Sequence, residues 1–302
     1  MELKTLKSFI TVATLKNFSA AARELNTVQP AISRHITALE EELGVKLFVR
    51  NSREVHVTAA GQQLLVDATT LLNQAHLTKQ QAQRTARGEI GTLRIAYLGS
   101  ACLTFIADLV RNYKSEHPYV EVSLLEMTAS EQIKAFQDKQ IDVGFSRPLP
   151  SPMKEQFNSM HVYTDTWVVI VPNCHALASG PSVNLTELEH EPIVLFNRSE
   201  AVGLFDEIIT LCRQSGFSPQ IVNQPTRMQT VITTVAAGLG IAIVPKCVTQ
   251  LHSVGCQVIP ITNLSPTIQT LLHTNKQEVT PTAQHFKDKV QDQLPFIQKL
   301  MA

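Results

Sequence analysis

Net charge is the first thing this chain does without: 26 Lys and Arg balance 26 Asp and Glu over 302 residues, leaving a formal charge of +0 and an isoelectric point near 7.1. An all-over cationic field is thereby excluded, and any attraction to nucleic acid has to be local. Cysteine is sparse, odd in number and scattered, with five residues that do not form a disulfide framework. Long apolar runs are missing as well. The run from Trp167 to Val171 has the length of a strand and falls far short of a bilayer span. The opening segment carries Lys4 and Lys7 in an amphipathic helical pattern, unlike a signal peptide. A soluble, cytoplasmic chain with no membrane partner is expected. Its 44% hydrophobic and 17% charged residues are ordinary for a protein with a real core, and its length implies two or three domains.

Catalytic signatures are also lacking. GLGIA at 238–242 has two glycines of a dinucleotide loop but precedes a strand pattern and lacks the third glycine. GFSRP at 144–148 has no second glycine for a nucleophile elbow, and no His-Glu-x-x-His pair occurs. No enzyme activity, metal or cofactor is expected.

What is present begins with the stretch from Ser19 to Gly44, two short amphipathic helical patterns separated by a tight polar break. Ile32, Ile36, Leu39 and Leu43 recur at a helical period and are predicted to pack inward. Ser33, Arg34 and Thr37 then point the other way, with Gln29 and Pro30 in the first turn. Gln can take adenine edges bidentately, Arg can take guanine edges or phosphates, and a helix start can bind phosphate. Ala20, Ala21 and Ala22 let a partner helix cross closely, and Asn26 and Thr27 make the turn. Such a helix pair also occurs in all-helical cores that bind nothing. The following segments, LFVR at 47–50 and EVHVT at 54–58 around a polar turn, add a hairpin wing whose tip carries Arg50 and Arg53, suited to phosphate or the minor groove. The candidate DNA-contacting residues are therefore Ser19, Thr27, Gln29, Pro30, Ser33, Arg34, Thr37, Arg50 and Arg53.

In order, KSFI (7–10), FSAAAREL (18–25), QPAISR (29–34), LEEELG (39–44), LFVR (47–50) and TAAG (58–61) resemble the N-terminal domain of LysR-type transcriptional regulators. The match covers residues 1 to about 88, with weaker echoes beyond. One departure is Val28, where many members carry a small residue, so Thr27 is the expected helix cap. The resemblance implies a multidomain chain: an N-terminal α-helical winged helix-turn-helix (1–58), a long linker helix and hinge (59–90), and a C-terminal α/β two-lobe, periplasmic-binding-protein-like effector domain (91–302). Lobe I would take about 91–161 and 267–302, and lobe II about 162–266.

From Thr58, an expected N-cap, to Arg87 one helical pattern runs without proline. Leu64, Ala68, Leu71 and Ala75, followed by Thr78 and Ala82, alternate spacings of four and three. That heptad seam has no evident domain of its own to pack on, and is expected to pair with a second chain. A helix folded back on the C-terminal domain is the alternative.

From Thr92 strands and helices alternate. Strands near 93–97, 120–124 and 141–146 with helices between them predict an open parallel sheet, and a second unit of the same kind follows from Thr166. A strand at 267–272 and a helix from Thr282 to Met301 close the chain. Ser100, Thr128 and Arg147 fall after the first three strands, and Asn197 after the strand at 192–196, expected to face them across a cleft. A guanidinium at a strand end can hold a carboxylate bidentately. The resemblance implies an effector here, such as an aromatic or dicarboxylic acid. Ser or Thr after a strand can also be a plain helix cap. The partners expected are double-stranded DNA, a small-molecule effector and further copies of the chain, as a dimer or a dimer of dimers, with RNA polymerase if the protein activates. Cys247 and Cys256 leave a cysteine-based redox regulator as the alternative, and a small-molecule-modifying enzyme as a remoter one.

Overall fold

A computed structural model describes residues 1–50, 55–251, 254–262, 264–265 and 267–302. It divides into two compact units, Met1–Arg84 and Thr85–Ala302.

The first unit contains α1 (Leu3–Leu15), α2 (Phe18–Glu24), α3 (Gln29–Leu43), the antiparallel pair β1 (Phe48–Arg50) and β2 (Val55–Val57), and α4 (Ala59–Ala86), which runs past the unit's end. Asn17 opens α2 by accepting the Ala20 N–H at 2.9 Å, and Asn26 takes the left-handed turn at φ 48° that few residues other than Gly, Asn or Asp tolerate. Leu6, Phe9, Ala21, Ile32, Ile36 and Leu39 are buried around Phe48, whose ring meets Phe9 at 5.4 Å and Phe18 at 5.8 Å. Leu43 departs from its expected place and is 40% exposed, because Gly44 ends α3 in the left-handed region before that turn reaches the core.

Two features hold the wing to this core. The Thr58 hydroxyl accepts the Gly61 N–H at 2.9 Å as the cap of α4 and donates to Lys46 O at 2.7 Å, and a methyl on Gly61 would collide with the Leu47 carbonyl. Glu40 is buried on α3, and one of its oxygens accepts the N–H groups of Leu47 (2.9 Å) and Phe48 (3.3 Å) while the other takes Lys46 Nζ (2.8 Å). In the sequence Glu40 is one of three consecutive glutamates, Glu40 to Glu42, that follow the reading face. A carboxylate four residues before the left-handed Gly44 that ends α3 carried no periodic signal of its anchoring role.

The second unit is built on two sheets. Lobe I contains β3 (Gly91–Tyr97), α5 (Gly99–Cys102), α6 (Ile106–Glu116), β4 (Val120–Glu126), α7 (Ala129–Gln137), β5 (Val143–Ser146) and β6 (Phe157–Asp165). Lobe II follows with β7 (Trp167–Pro172), β8 (Val183–Asn184), β9 (Pro192–Val194), α8 (Val202–Gln214), β10 (Gln220–Asn223), α9 (Met228–Ala236), β11 (Ala242–Pro245) and β12 (Cys256–Thr262). The chain then returns to lobe I with β13 (Ile268–Asn275) and α10 (Pro281–Met301).

Lobe I has the order β4-β3-β5-β13-β6, in which β3, β4 and β5 are parallel and β13 runs antiparallel to both β5 and β6. The sheet is therefore mixed, where a parallel one was expected, because the returning strand enters from the opposite end. Its pairing with β6 extends to Ile268 opposite Asp165, so lobe I reaches Asp165 rather than residue 161. Lobe II is also mixed, with the order β11-β7-β12-β8, and the parallel pair β9–β10 is joined to it by a bridge from Ile193 to Ile241. β6 and β12 had no counterpart in the sequence reading. β6 spends Asn158, Ser159, His161 and Thr164 on polar positions, which hides its alternation.

The buried Glu40 yields a test. Burial alone would raise its carboxyl pKa, but Lys46 and the two peptide N–H groups outweigh burial and hold it below the ordinary value of 4.5. A depressed carboxyl contributes stability that is present above the unfolded value and lost as pH falls through the folded one. Glu40→Gln is expected to cost the N-terminal unit about 1–3 kcal/mol at neutral pH. Urea unfolding followed from pH 7 to pH 3 checks it, with the gap to wild type narrowing at the acid end.

Candidate functional site

The reading face is the exposed side of α3. Val28 precedes the helix in an extended conformation and makes no side-chain cap, so the cap expected from Thr27 is absent; Thr27 is exposed and its N–H closes the turn on Ala22 O at 2.9 Å. The first peptide N–H groups of α3 are thus left without a side-chain partner from the cap position, and Pro30 removes one donor. Gln29, Pro30, Arg34 and Thr37 are exposed, and Ser33 is half-buried and accepts Gln29 Nε2 at 3.0 Å. Ser19 is exposed on α2. His35 faces inward instead, its Nδ1 2.8 Å from the Ser8 hydroxyl of α1. Arg50 closes β1 through its backbone; its side chain and Arg53 lie outside the described residues.

The seam on α4 needs correction. Ala68 is fully buried in the winged domain's own core, and Leu64 and Leu72 pack against that core. The first half of α4 does have a domain to lie on, so Ala68 is not available to a second chain. Leu71 remains 46% exposed and Ala75 half-buried, while Val66 and Leu77 are 63% and 50% exposed.

In the second unit a cavity of about 290 Å³ opens between the lobes at the carboxyl ends of β3, β4, β5 and β9. Its walls include Leu98, Met127, Phe196, Leu204, Met228 and Leu251, with Ser100, Glu126, Thr128, Arg147, Glu200 and Arg227 as polar groups. Arg147 is half-buried. Its Nη1 donates to the Thr270 hydroxyl (2.8 Å) and Gln269 O (3.4 Å), and its Nη2 lies 3.9 Å from Cys247 Sγ. Its backbone carbonyl accepts Nε2 of the buried His273 at 3.0 Å. Burial works against the guanidinium's charge, yet Cys247, Tyr163 and Asp165 around it outweigh burial and raise its pKa. Among the described residues no carboxylate forms an ion pair with Arg147.

Ser100 lines the cavity from the one-turn helix α5. Thr128 is the N-cap of α7 in a capping box with Glu131, and its hydroxyl also donates to Glu200 Oε2 of lobe II at 2.9 Å. The cap reading and the cleft reading therefore both hold for one side chain. Two further bonds join the lobes at this mouth, Ser130 to Ser199 O at 2.7 Å and Arg227 to Glu131 at 3.1 Å. The Thr128 N–H first, then the Thr128 hydroxyl and Arg227, hold the Glu131 carboxyl below its usual range.

Asn197 does not face this cavity. Its Oδ1 accepts the N–H (2.9 Å) and hydroxyl (2.7 Å) of Ser199, an Asx-type turn that consumes the side chain locally. Its neighbours Phe196 and Glu200 supply the wall instead. Glu126, Glu200 and Arg227 were missed: Glu126 is the polar last residue of a strand, and Glu200 and Arg227 sit in irregular segments where periodicity carries no signal.

Cys247 and Cys256 do not look like a redox pair. Burial pushes the Cys247 thiol up to about 12 and raises that of Cys256, which leaves little thiolate to react, and Cys256 Sγ points to Ile232 O at 3.6 Å. No group of three metal-binding side chains occurs among the described residues, and none of their helices is long and apolar enough to cross a membrane.

A winged helix-turn-helix in one unit and a two-lobe cleft in the other define a DNA-binding regulator with a ligand-binding domain. Residues 3–62 match the bacterial regulatory helix-turn-helix of the lysR family, and 86–295 match the LysR substrate binding domain. The chain belongs to the LysR family of transcriptional regulators. It is 35% identical over 289 residues to the HTH-type transcriptional regulator AlsR of Bacillus subtilis, covering 95% of this chain and 94% of that one. With ClcR of Pseudomonas putida it shares 36% over 251 residues, covering 83% and 85%. Full-length CbnR complexed with its target DNA aligns with a TM-score of 0.76 at 28% identity, covering 97% of this chain and 100% of that one. The chain is accordingly a regulator and not an enzyme.

Two substitutions on α4 separate packing from pairing. Ala68→Asp is expected to unfold the N-terminal unit, because a charge would enter a closed core. Leu71→Asp is expected to leave it folded, and a sedimentation coefficient below that of wild type would mark Leu71 as a pairing residue. Ultracentrifugation with circular dichroism on both variants checks the contrast.

Proposed function

We propose that this regulator reads its operator with Gln29, Ser33, Arg34 and Thr37 on α3, with Ser19, Thr27 and Pro30 beside them and the wing arginines Arg50 and Arg53 on phosphate or in the minor groove. The exposure of Gln29, Arg34 and Thr37 on one face of α3, with Ile32, Ile36 and Leu39 buried on the other, supports the reading. One winged domain offers too little interface for operator discrimination, so the protein works as a dimer or a dimer of dimers on a pseudo-palindromic site, with RNA polymerase as a further partner where it activates. The exposed Leu71 and the half-buried Ala75 belong to the pairing surface. The protein works inside the cell, where the DNA is.

The signal is a small organic acid whose carboxylate meets Arg147, with Ser100 and Thr128 beside it. The observation that carries this reading is a guanidinium that opens onto a largely apolar cavity and, among the described residues, has no carboxylate in contact with it. A ligand acts here only through different affinities for two arrangements of the lobes, and the bonds from Thr128, Ser130 and Glu131 across the mouth are the contacts such a change would make or break.

Arg34→Ala and Gln29→Ala are each expected to cost roughly 1–3 kcal/mol of specific operator binding. Arg53→Ala should weaken all sequences alike and flatten the salt slope by about one unit. Gel-shift titrations on specific and random duplexes check this; equal losses on both for Arg34→Ala would reduce it to a positioning contact.

Arg147→Ala is expected to abolish the effector response while operator binding persists. Arg147→Lys should rescue poorly, since lysine keeps the charge but not the planar fork. Footprinting on a promoter recovered by chromatin immunoprecipitation, with and without cell-extracted small molecules, checks both, and an unchanged response in both variants would remove Arg147 from the site.

A further inference from the structure

The charges that line the cleft are not those of a site for a dianion. Glu126 ends β4 and lies against Gly99, the residue before Ser100, and among the described residues it has no hydrogen-bond donor and no cation. Glu200 reaches in from lobe II; one oxygen takes the Thr128 hydroxyl, and the other has only a 3.5 Å contact with Ser199. Ionised carboxylates keep about four acceptor sites, so both retain capacity for a further donor. Of the two cations, Arg227 is already paired with Glu131, which leaves Arg147 as the lining cation without a carboxylate in contact.

A ligand with two carboxylates would satisfy Arg147 with one and bring the other against Glu126 or Glu200, a like-charge contact in a largely apolar cavity. A ligand with one carboxylate and no cation would leave the free acceptors of the exposed Glu126 and the half-buried Glu200 to water, whereas an ammonium would take both. In the sheet order β4-β3-β5, the ends that carry Glu126 and Arg147 are two strand spacings apart, roughly 10 Å. Two long side chains with a small molecule between them fill that gap. The cavity, at about 290 Å³, and its walls of Leu98, Met127, Phe196, Leu204, Met228 and Leu251 set the remaining requirement of a compact apolar body.

We infer that the effector is an apolar amino acid or a close relative, its carboxylate on Arg147 and its ammonium on Glu126 and Glu200, an inference that rests on Arg147 being the carboxylate clamp. The aromatic or dicarboxylic acid implied by family resemblance then gives way to a zwitterion.

The test is calorimetry on the full-length protein with L-leucine and L-phenylalanine, with isocaproate and hydrocinnamate, which lack only the amino group, and with adipate as a dicarboxylate. At least one amino acid is expected to bind about tenfold or more tightly than its partner without the amino group. Glu126→Gln, on an exposed side chain and so expected to keep the wild-type melting temperature, should erase that preference, and Arg147→Ala should weaken both compounds. Tighter binding by adipate or by an acid without the amino group, still dependent on Arg147, would overturn the zwitterion and leave the carboxylate clamp standing. Amino-acid binding untouched by Arg147→Ala would overturn the clamp and with it this inference. No binding by either amino acid would also overturn it.

Discussion

The second unit is arranged around a half-buried guanidinium that has no acid in contact among the described residues and whose charge is kept by the groups around it. Arg147 leaves β5 into the space between the lobes, and nearly everything that steadies it comes from distant sequence: the Thr270 hydroxyl and Gln269 carbonyl on the returning strand, the Cys247 sulfur from lobe II, and His273 on its backbone carbonyl. The nearest acid acting on it, Asp165, spends its oxygens on the N–H groups of Thr166 and Cys247, where the chain first crosses between lobes. The excursion to lobe II and back through β13 is thus what builds the surroundings of Arg147. A ligand on Arg147, as proposed, would act on groups that belong to both crossovers, the position from which a small molecule can bias two lobe arrangements.

The N-terminal unit follows a similar economy with an acid in place of a base. Glu40 points from the recognition helix toward the wing and accepts the backbone of Leu47 and Phe48, so helix and hairpin are held in one register. Phe48, held there, packs tilted against Phe9 and edge-on to Phe18 and closes the three-helix core. Ala68 of α4 fits under the same core because it is small. The side chains left outside on α3 are then a fixed set, which is what reading a groove requires.

Periodic features of this chain were legible in advance. The apolar stripe of α3 repeats at a helical period, α4 shows as a long stretch without proline, β3 and β4 alternate, and β5, β9 and β11 are short apolar runs, so that the strand ends bring Ser100, Thr128 and Arg147 to one cavity. What escaped depends on partners far along the chain. β6 is polar enough to read as loop and becomes a strand because β13 pairs along its whole length. Ala68 fits a heptad seam equally well whether its neighbour is a second chain or its own domain, and only the fold decides. Asn197 was expected in the cleft from its place after a strand, but a local turn with Ser199 captured it, while Glu126 and Glu200 carried no signal beyond being acidic.

On this reading Arg147 is kept for a ligand and not for the fold. Replacing it with methionine, of similar length and without charge, tests this most directly when the thermal unfolding of the C-terminal unit is followed by calorimetry on the full-length protein without added ligand. A buried charge replaced by an apolar side chain is often neutral or stabilising, whereas breaking a structural ion pair costs about 3–5 kcal/mol. Arg147→Met is therefore expected to unfold within about 1 kcal/mol of wild type or above it, a trade of stability for function. A loss of about 3 kcal/mol or more would contradict the account and make Arg147 a strut of lobe I.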